Sequence, residues 1–126
     1  TQPNSSAASD VYKRQIQAKK MKQILKFEVE LDENNLPENI NMISDNQGEG
    51  NINLKALMVA AWDATKKETL RVDIWTKDMP VNDMFILYHQ NMMSMATSLE
   101  KSTGQNKLAE ALRDYCGFFA KETKIL

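Results

Sequence analysis

Two periods of apolar residues divide the chain, and each is typical of one kind of secondary structure. In the first half apolar and polar residues alternate, as in Leu25–Leu31 and again in residues 70–75. In the second half apolar residues recur at three- and four-residue steps from Met84 onward. Alternation indicates a strand with one buried face, whereas the longer step indicates an amphipathic helix. The chain is therefore predicted to be α+β, with the strands first and the helices last.

The strand segments are predicted to form one four-stranded antiparallel β-meander. The first strand ends at the turn-forming sequence DENNLP (32–37), and a shorter second strand follows around Ile40 and Met42. A loop that contains glycine and asparagine (45–53) then leads to a hairpin formed by the third and fourth strands (57–75). Short connections of this kind join antiparallel neighbours.

The hairpin is predicted to have one apolar and one mixed face. A tight turn near Lys66 would pair Asp63 with Leu70 and Ala60 with Asp73. The face predicted to be core consists of Leu57, Val59, Ala61, Leu70, Val72 and Ile74. The mixed face, with two tryptophans and an Arg–Asp pair, consists of Met58, Ala60, Trp62, Arg71, Asp73 and Trp75. Two helices fully cover only one side of a sheet, so the mixed face is predicted to meet another chain or a ligand.

Two helices are predicted to follow the sheet. Pro80 suits the first position of the first helix, Gly104 suits its end, and Asn106 suits the N-cap of the second helix. Because the connection is short, the helices are predicted to form an antiparallel hairpin packed on one sheet face. The buried stripe of the first helix is predicted to be Met84, Tyr88, Met92, Met95 and Leu99. That of the second is predicted to be Leu108, Leu112, Tyr115 and Phe119.

The first twenty residues differ from the rest and are predicted to be a disordered, non-native or artefactual extension. They are polar and basic, whereas residues 21–126 are mildly acidic and long enough for one domain. That charge pattern is not typical of a nucleic-acid-binding protein. No apolar run approaches the roughly 18 residues of a membrane helix, and no secretory signal is visible. We expect a cytoplasmic protein without direct membrane insertion.

The residues that carry catalysis in other proteins are scarce in this sequence. His89 is the only histidine and Cys116 the only cysteine. A cysteine–histidine nucleophile would need a third, orienting group that the sequence does not specify, so Cys116 is predicted to be a small core residue. The acidic turn 32–35 lacks the glycine and the distal glutamate of an EF-hand. We therefore predict no catalytic, cofactor or metal site.

Several segments carry a family resemblance. They are KFEVELDENNLPENI, AAWDATKKETLRVDIWTKDMPVNDM and MATSLEKSTGQNKLAEALRDYCGFFAK. Over residues 21–126 the chain resembles the GldC family of gliding motility-associated proteins of the Bacteroidota. The most specific segments are LRVDIWTKDMPV (70–81), WD (62–63) and AEALRD (109–114). The resemblance also agrees with a native start at Met21.

The resemblance implies a small accessory protein of gliding motility, a process tied to the type IX secretion machinery. No catalytic activity or cofactor is known for the family. Together, the resemblance and the mixed face predict a non-catalytic protein that binds a protein partner. The predicted binding residues are Met58, Trp62, Asp63, Arg71, Asp73, Trp75, Lys77 and Asp78. Three alternative hypotheses remain. The same face could form a homodimer, or the chain could be a small-molecule-binding domain or enzyme that uses Asp63 or Asp73. The third hypothesis is nucleic-acid binding by the basic N-terminal segment (13–22).

Overall fold

The structure, a computed structural model, describes residues 21–44 and 50–125. The predicted extension at residues 1–20 and part of the predicted loop after the second strand lie outside the described residues. The strands belong to one compact unit, Gln23–Met79, and the helices to a second, which includes Pro80–Leu126. The predicted α+β order, strands before helices, is confirmed.

Five antiparallel strands form the first unit. They are β1 (Leu25–Leu31), β2 (Pro37–Ser44), β3 (Ile52–Leu54), β4 (Ala56–Asp63) and β5 (Glu68–Trp75). The predicted single four-stranded meander is wrong in its strand count, because β1, β2 and β3 form one sheet while β4 and β5 form another.

The division between the two sheets falls at Lys55, the single residue between β3 and β4. The short strand before it lies in the segment that was predicted to be a loop. Its apolar residues Ile52 and Leu54 pair with Met42 and Ile40 of β2. Strand pairing thus overrides the low strand propensity of the neighbouring asparagines.

The predicted hairpin register is wrong by two residues. Asp63 lies opposite Glu68 rather than Leu70, and Ala60 lies opposite Arg71 rather than Asp73. Because side chains alternate between the two faces with a period of two, an even shift leaves every residue on its predicted face. The composition of the two faces is therefore as predicted.

The turn explains the register, because its four residues (64–67) make it longer than the tight turn predicted near Lys66. A side-chain oxygen of Asp63, Oδ1, accepts hydrogen bonds from the N–H groups of Thr65 at 3.0 Å and Lys66 at 3.2 Å. Lys67 then adopts a left-handed conformation with φ of 55°. A short polar side chain that bonds to nearby main-chain groups in this way stabilises a turn.

The apolar hairpin face is only partly core, contrary to the prediction. Leu57, Val59 and Ile74 are half-buried. Leu70 and Val72, nearer the turn, are 55% and 50% exposed. Among the described residues of the strand unit, the fully buried apolar side chain is instead Ile40 of the central strand β2, which has a neighbouring strand on each side.

The two helices are α1 (Val81–Thr103) and α2 (Asn106–Thr123). The ring of Phe85, near the start of α1, meets that of Phe119, near the end of α2, edge to face at 6.1 Å. Glu100, near the end of α1, bonds to Arg113, in the first half of α2, at 2.9 Å. Because the start of α1 contacts the end of α2, and the end of α1 contacts the first half of α2, the antiparallel hairpin is confirmed.

The predicted helix starts are each displaced by one residue. Pro80 is the N-cap of α1 rather than its first residue, and its carbonyl oxygen accepts the N–H of Met84 at 3.0 Å. Gln105, not Asn106, is the N-cap of α2, and neither cap makes a side-chain hydrogen bond. The predicted end of α1 at Gly104 is confirmed.

Small residues form the seam between the helices. The residues of this seam that are fully or almost fully buried are Ala96, Ala109, Cys116 and Ala120. Leu108 and Tyr115, predicted to be buried on α2, are exposed, whereas Leu112 and Phe119 are half-buried. Small side chains let helix backbones approach closely, so larger residues flank the seam. The prediction that Cys116 is a core residue is confirmed.

Alanine at Gly104 and alanine at Gly117 are expected to change stability in opposite directions. A Cβ added at either position would contact no atom within 4 Å, so the backbone conformation alone determines the change in stability. Gly104 has φ of 70°, where a Cβ costs about 1 kcal/mol. Gly117 lies inside α2, where alanine stabilises by about 0.5–1 kcal/mol. Thermal unfolding followed by far-ultraviolet circular dichroism measures both shifts; equal signs would contradict this account.

Candidate functional site

The residues that follow β5 make hydrogen bonds to other segments of the strand unit. Thr76 is buried; its N–H donates to the carbonyl oxygen of Lys55 at 2.8 Å, and its hydroxyl donates to Oδ1 of Asp78 at 2.6 Å. The other carboxylate oxygen of Asp78 accepts from Nζ of Lys55 at 2.9 Å. These bonds link the end of β5 to the start of β4, so Asp78 has a structural role.

Lys77 connects the same segment to the turn between β1 and β2. Its N–H donates to the carbonyl oxygen of Pro37 at 3.2 Å, and its Nζ donates to Oδ2 of Asp32 at 3.0 Å. The other carboxylate oxygen of Asp32 accepts the N–H groups of Asn34 and Leu36 at 2.8 and 3.0 Å. Asp32 therefore shapes the turn, and Lys77 holds the turn against the end of β5.

Hydrogen bonds within this network favour the charged form of each group. The N–H of Leu36, followed by the Lys77 ammonium, lowers the pKa of Asp32 below its ordinary value. The Asp32 carboxylate in turn raises the pKa of Lys77. The pKa of Asp78 is lowered by the Thr76 hydroxyl and then by Lys55. Groups in such pairs remain ionised at neutral pH.

Asp32→Asn is expected to weaken the strand unit at neutral pH and to reduce its sensitivity to acid. A carboxyl group whose pKa is lower in the folded state contributes stability above its unfolded pKa, and loses that contribution as the pH falls through the folded value. For Asp32 the loss falls below its ordinary pKa of 3.8. Urea unfolding between neutral and acidic pH, followed by tryptophan fluorescence, measures it. Glu33→Gln, on the adjacent exposed residue, should keep the wild-type acid dependence; an unchanged dependence in Asp32→Asn would refute the assignment.

The remaining candidates lie on the mixed face of the β4–β5 hairpin. Trp62 and Trp75 are 65% and 49% exposed. Arg71 and Asp73 make a two-point ion pair, Nη2 to Oδ1 at 2.7 Å and Nε to Oδ2 at 3.0 Å. This pair lowers the pKa of Asp73, chiefly through the hydrogen bond from Arg71. Half-buried Met58 lies opposite Asp73 on the same face.

The two tryptophans occupy opposite ends of that face. Trp62 pairs with Thr69, whereas Trp75 pairs with Ala56. Six residue steps along β5 separate these positions, which is about 20 Å in an extended strand. The Arg71–Asp73 pair lies between the tryptophans, so the face has two aromatic ends and a charged middle.

The structure thus separates the eight predicted surface residues into two groups. Met58, Trp62, Arg71, Asp73 and Trp75 share one hairpin face. The other three bond to nearby parts of the chain: Asp63 in the β4–β5 turn, Lys77 with the β1–β2 turn, and Asp78 with Thr76 and Lys55.

An open groove adjoins the Trp75 end of this face. Its volume is about 370 Å³, and its lining is mainly apolar: Leu36, Pro37, Asp73, Ile74, Trp75 and Lys77. Leu36 and Pro37 are not among the predicted site residues, because they belong to the turn-forming segment 32–37. A leucine within an otherwise polar turn was the available signal.

The described residues contain no cluster suited to a metal. Within 21–44 and 50–125 no group of three or more histidine, cysteine, aspartate or glutamate residues could hold an ion. Cys116 is buried in the helix seam. In the same part of the chain neither helix is long and apolar enough to cross a membrane.

Comparison with known proteins gives one informative match. No curated protein matches the chain, and no solved structure does. The family model of gliding motility-associated protein GldC-like matches residues 37–125, from the first residue of β2 to beyond the end of α2. The matched range includes segment 70–81, which runs from β5 to the first residue of α1, and the α2 segment 109–114; both carried the resemblance. As the match covers most of the chain, the protein belongs to the GldC-like family of gliding motility-associated proteins.

Proposed function

We propose that this gliding motility-associated protein is a non-catalytic, cytoplasmic accessory factor that binds a protein of the gliding or type IX secretion machinery. The contact is made by the Trp75 surface, which we define as Arg71, Asp73, Trp75 and the adjoining groove at Leu36 and Pro37. The observation that carries the proposal is the half-exposed indole of Trp75, which lies beside an apolar groove and an ordered ion pair.

The composition of the Trp75 surface resembles that of binding hot spots in other proteins. Tryptophan and arginine are enriched among the residues that dominate binding energy, and they lie in pockets surrounded by a polar rim. Trp75 provides a large apolar area, and Arg71 is held in place by Asp73 before any partner arrives. A side chain that is already ordered loses less entropy on binding.

The ionisation of the described carboxyl groups supports a non-catalytic role. Each resolved shift, at Asp32, Asp73, Asp78 and Glu100, lowers the pKa through hydrogen bonds to a neighbouring group. A general acid that works at neutral pH needs the opposite, a carboxyl pKa raised by burial or by like charge. These four carboxylates instead stabilise the fold through ion pairs.

Affinity purification from a gliding bacterium tests the proposal. The Trp75→Ala/Arg71→Ala double variant should lose the partner that the wild-type chain retains. Truncation of a hot-spot residue weakens binding by about 2 kcal/mol or more, roughly thirty-fold. Trp62→Ala, at the far end of the face, and Tyr88→Ala, on α1, are matched aromatic truncations that should keep the partner.

The same comparison can contradict the proposal. If the double variant retains the partner while Trp62→Ala or Tyr88→Ala loses it, the contact lies elsewhere. Circular dichroism of every variant must first match the wild type, because Trp75 is close to the buried Thr76.

A further inference from the structure

The outer edge of β1 points to a further interaction, separate from the Trp75 surface. β1 pairs with β2 on one side, and no strand within residues 21–44 or 50–125 pairs with it on the other. Six of its seven residues are exposed, and only Phe27 is half-buried. Edge strands are commonly protected by a proline, a bulge or a short length. β1 has no proline, and the extra residue at its bulge, Glu38, belongs to β2.

The main-chain groups of the odd-numbered residues of β1 face this outer side. In an antiparallel pair, the main-chain groups of successive residues point alternately toward and away from the neighbouring strand. The N–H of Asp32 donates across the turn to the carbonyl oxygen of Leu36 at 2.9 Å, so even-numbered residues direct these groups toward β2. Pro37, which has no N–H, lies opposite Leu31, as expected where no hydrogen bond joins the strands. The residues whose groups point outward are therefore Leu25, Phe27, Val29 and Leu31.

Two charged side chains of β1 lack a partner of opposite charge. In the part of the chain that the structure describes, Lys26 and Glu28 form no ion pair. Glu30, by contrast, accepts a hydrogen bond from Nδ2 of Asn39 at 2.8 Å. A lysine on an edge strand discourages pairing in general. A strand that placed a carboxylate opposite Lys26 would instead turn this lysine into an attractive contact.

A second copy of β1 supplies that carboxylate in one register. If two copies run antiparallel with Phe27 on a two-fold axis, Lys26 of each copy lies opposite Glu28 of the other. Every other axis through an interior residue of β1 brings like charges together. Axes through Lys26, Glu28 or Glu30 oppose that residue to its own copy, and an axis through Val29 opposes Glu28 to Glu30. Like charges directly opposite each other destabilise a sheet.

The direction of the main-chain groups agrees with this register. Around Phe27, closely spaced hydrogen-bonded pairs join Phe27 to its own copy and Leu25 to Val29, which are all odd-numbered. Lys26 and Glu28 form the pairs between them, where opposed side chains approach most closely. Leu25 and Val29, which are 56% and 37% exposed, gain apolar cross-strand neighbours. An axis between two residues would oppose odd with even positions and lose the hydrogen bonds.

We propose that the chain forms a two-fold symmetric dimer in which the β1 edges of two copies pair around Phe27, joining two three-stranded sheets into one sheet of six antiparallel strands. A two-fold interface uses the same patch on both copies, so the pair of Lys26 with Glu28 occurs twice. An edge of this length buries less than the roughly 1,200–2,000 Å² of a standard interface, so we expect a dissociation constant on the order of micromolar.

Sedimentation equilibrium of the purified full chain tests the dimer. The mass of the wild type should rise with concentration from 14.4 kDa toward twice that value. Lys26→Glu and Glu28→Lys should each weaken association by about tenfold or more, since each creates two like-charge pairs across the axis. An equal mixture of the two variants should recover wild-type association, because two acidic residues on one chain then face two basic residues on the other. Recovery on mixing excludes misfolding as the cause of the loss.

Two control variants separate this register from a general effect of charge. Glu30→Gln keeps an oxygen that can accept from Asn39, and Glu30 faces no charge of the second copy, so this variant should associate like the wild type. In a register centred on Glu28, Glu30 would face Lys26, and the same change would weaken association. Lys107→Glu, a reversal of charge on α2, should also associate like the wild type.

Several results would overturn the proposed edge pairing. They are a wild type that stays monomeric well above micromolar concentration, single charge reversals that associate like the wild type, a mixture that stays monomeric, and a loss of association in Glu30→Gln. The measurement uses the chain alone, and β1 contributes no residue to the Trp75 surface. Its failure therefore leaves the proposed binding to the motility machinery unaffected, and loss of that binding leaves the dimer unaffected.

Discussion

Replacing Ile40 with alanine is expected to lower the free energy of unfolding of the strand unit by about 2–5 kcal/mol. Ile40 is fully buried on the central strand β2, between Val29 of β1 and Leu54 of β3. Removing its side chain forfeits the transfer free energy of three carbon atoms and leaves a cavity that the paired strands cannot fill. No other large apolar side chain among the described residues of the strand unit is as completely buried.

Urea unfolding followed by tryptophan fluorescence measures this loss, because both tryptophans, Trp62 and Trp75, belong to the strand unit. Ile52→Ala on β3 is the matched control. Ile52 is 45% exposed, so its truncation should lower stability by about 1 kcal/mol or less. Similar losses at the two positions would mean that β2 is not the centre of the core.

Replacing Ala109 with aspartate is expected to destabilise the helical hairpin by about 3 kcal/mol or more. Ala109 is fully buried in the seam between α1 and α2. Aspartate there must bury a charge or bind a proton, and it also forces apart helices that approach closely at this position. The nearby cation, Arg113, already forms an ion pair with Glu100, so it is not available to pair with the new aspartate.

Ala111→Asp provides the control for this change, because it makes the same substitution two residues along on the exposed side of α2. It should cost well under 1 kcal/mol. Far-ultraviolet circular dichroism during thermal unfolding follows the helices directly. Equal losses at Ala109 and Ala111 would show that helix propensity, rather than burial in the seam, decides the outcome.

The candidate site was predictable from the sequence where it depends on alternation along one strand. The positions of Arg71, Asp73 and Trp75 on a common face follow from their spacing of two residues, and a register error of two did not change this. The groove was not predictable, because the turn at Asp32 brings Leu36 and Pro37 beside β5. Lys77 and Asp32 lie 45 positions apart in the sequence, and no local pattern relates them.

The sequence by itself determined the kind and order of the elements other than β3, the two faces of the hairpin, the end of α1 at Gly104 and the burial of Cys116. These features depend on local periodicity and on the backbone freedom of one residue. The tertiary structure alone decided the register, the division of the strands at Lys55 and the seam of small residues between the helices. Each of these is a choice among several arrangements with nearly equal local energies, and only contacts between distant segments separate them.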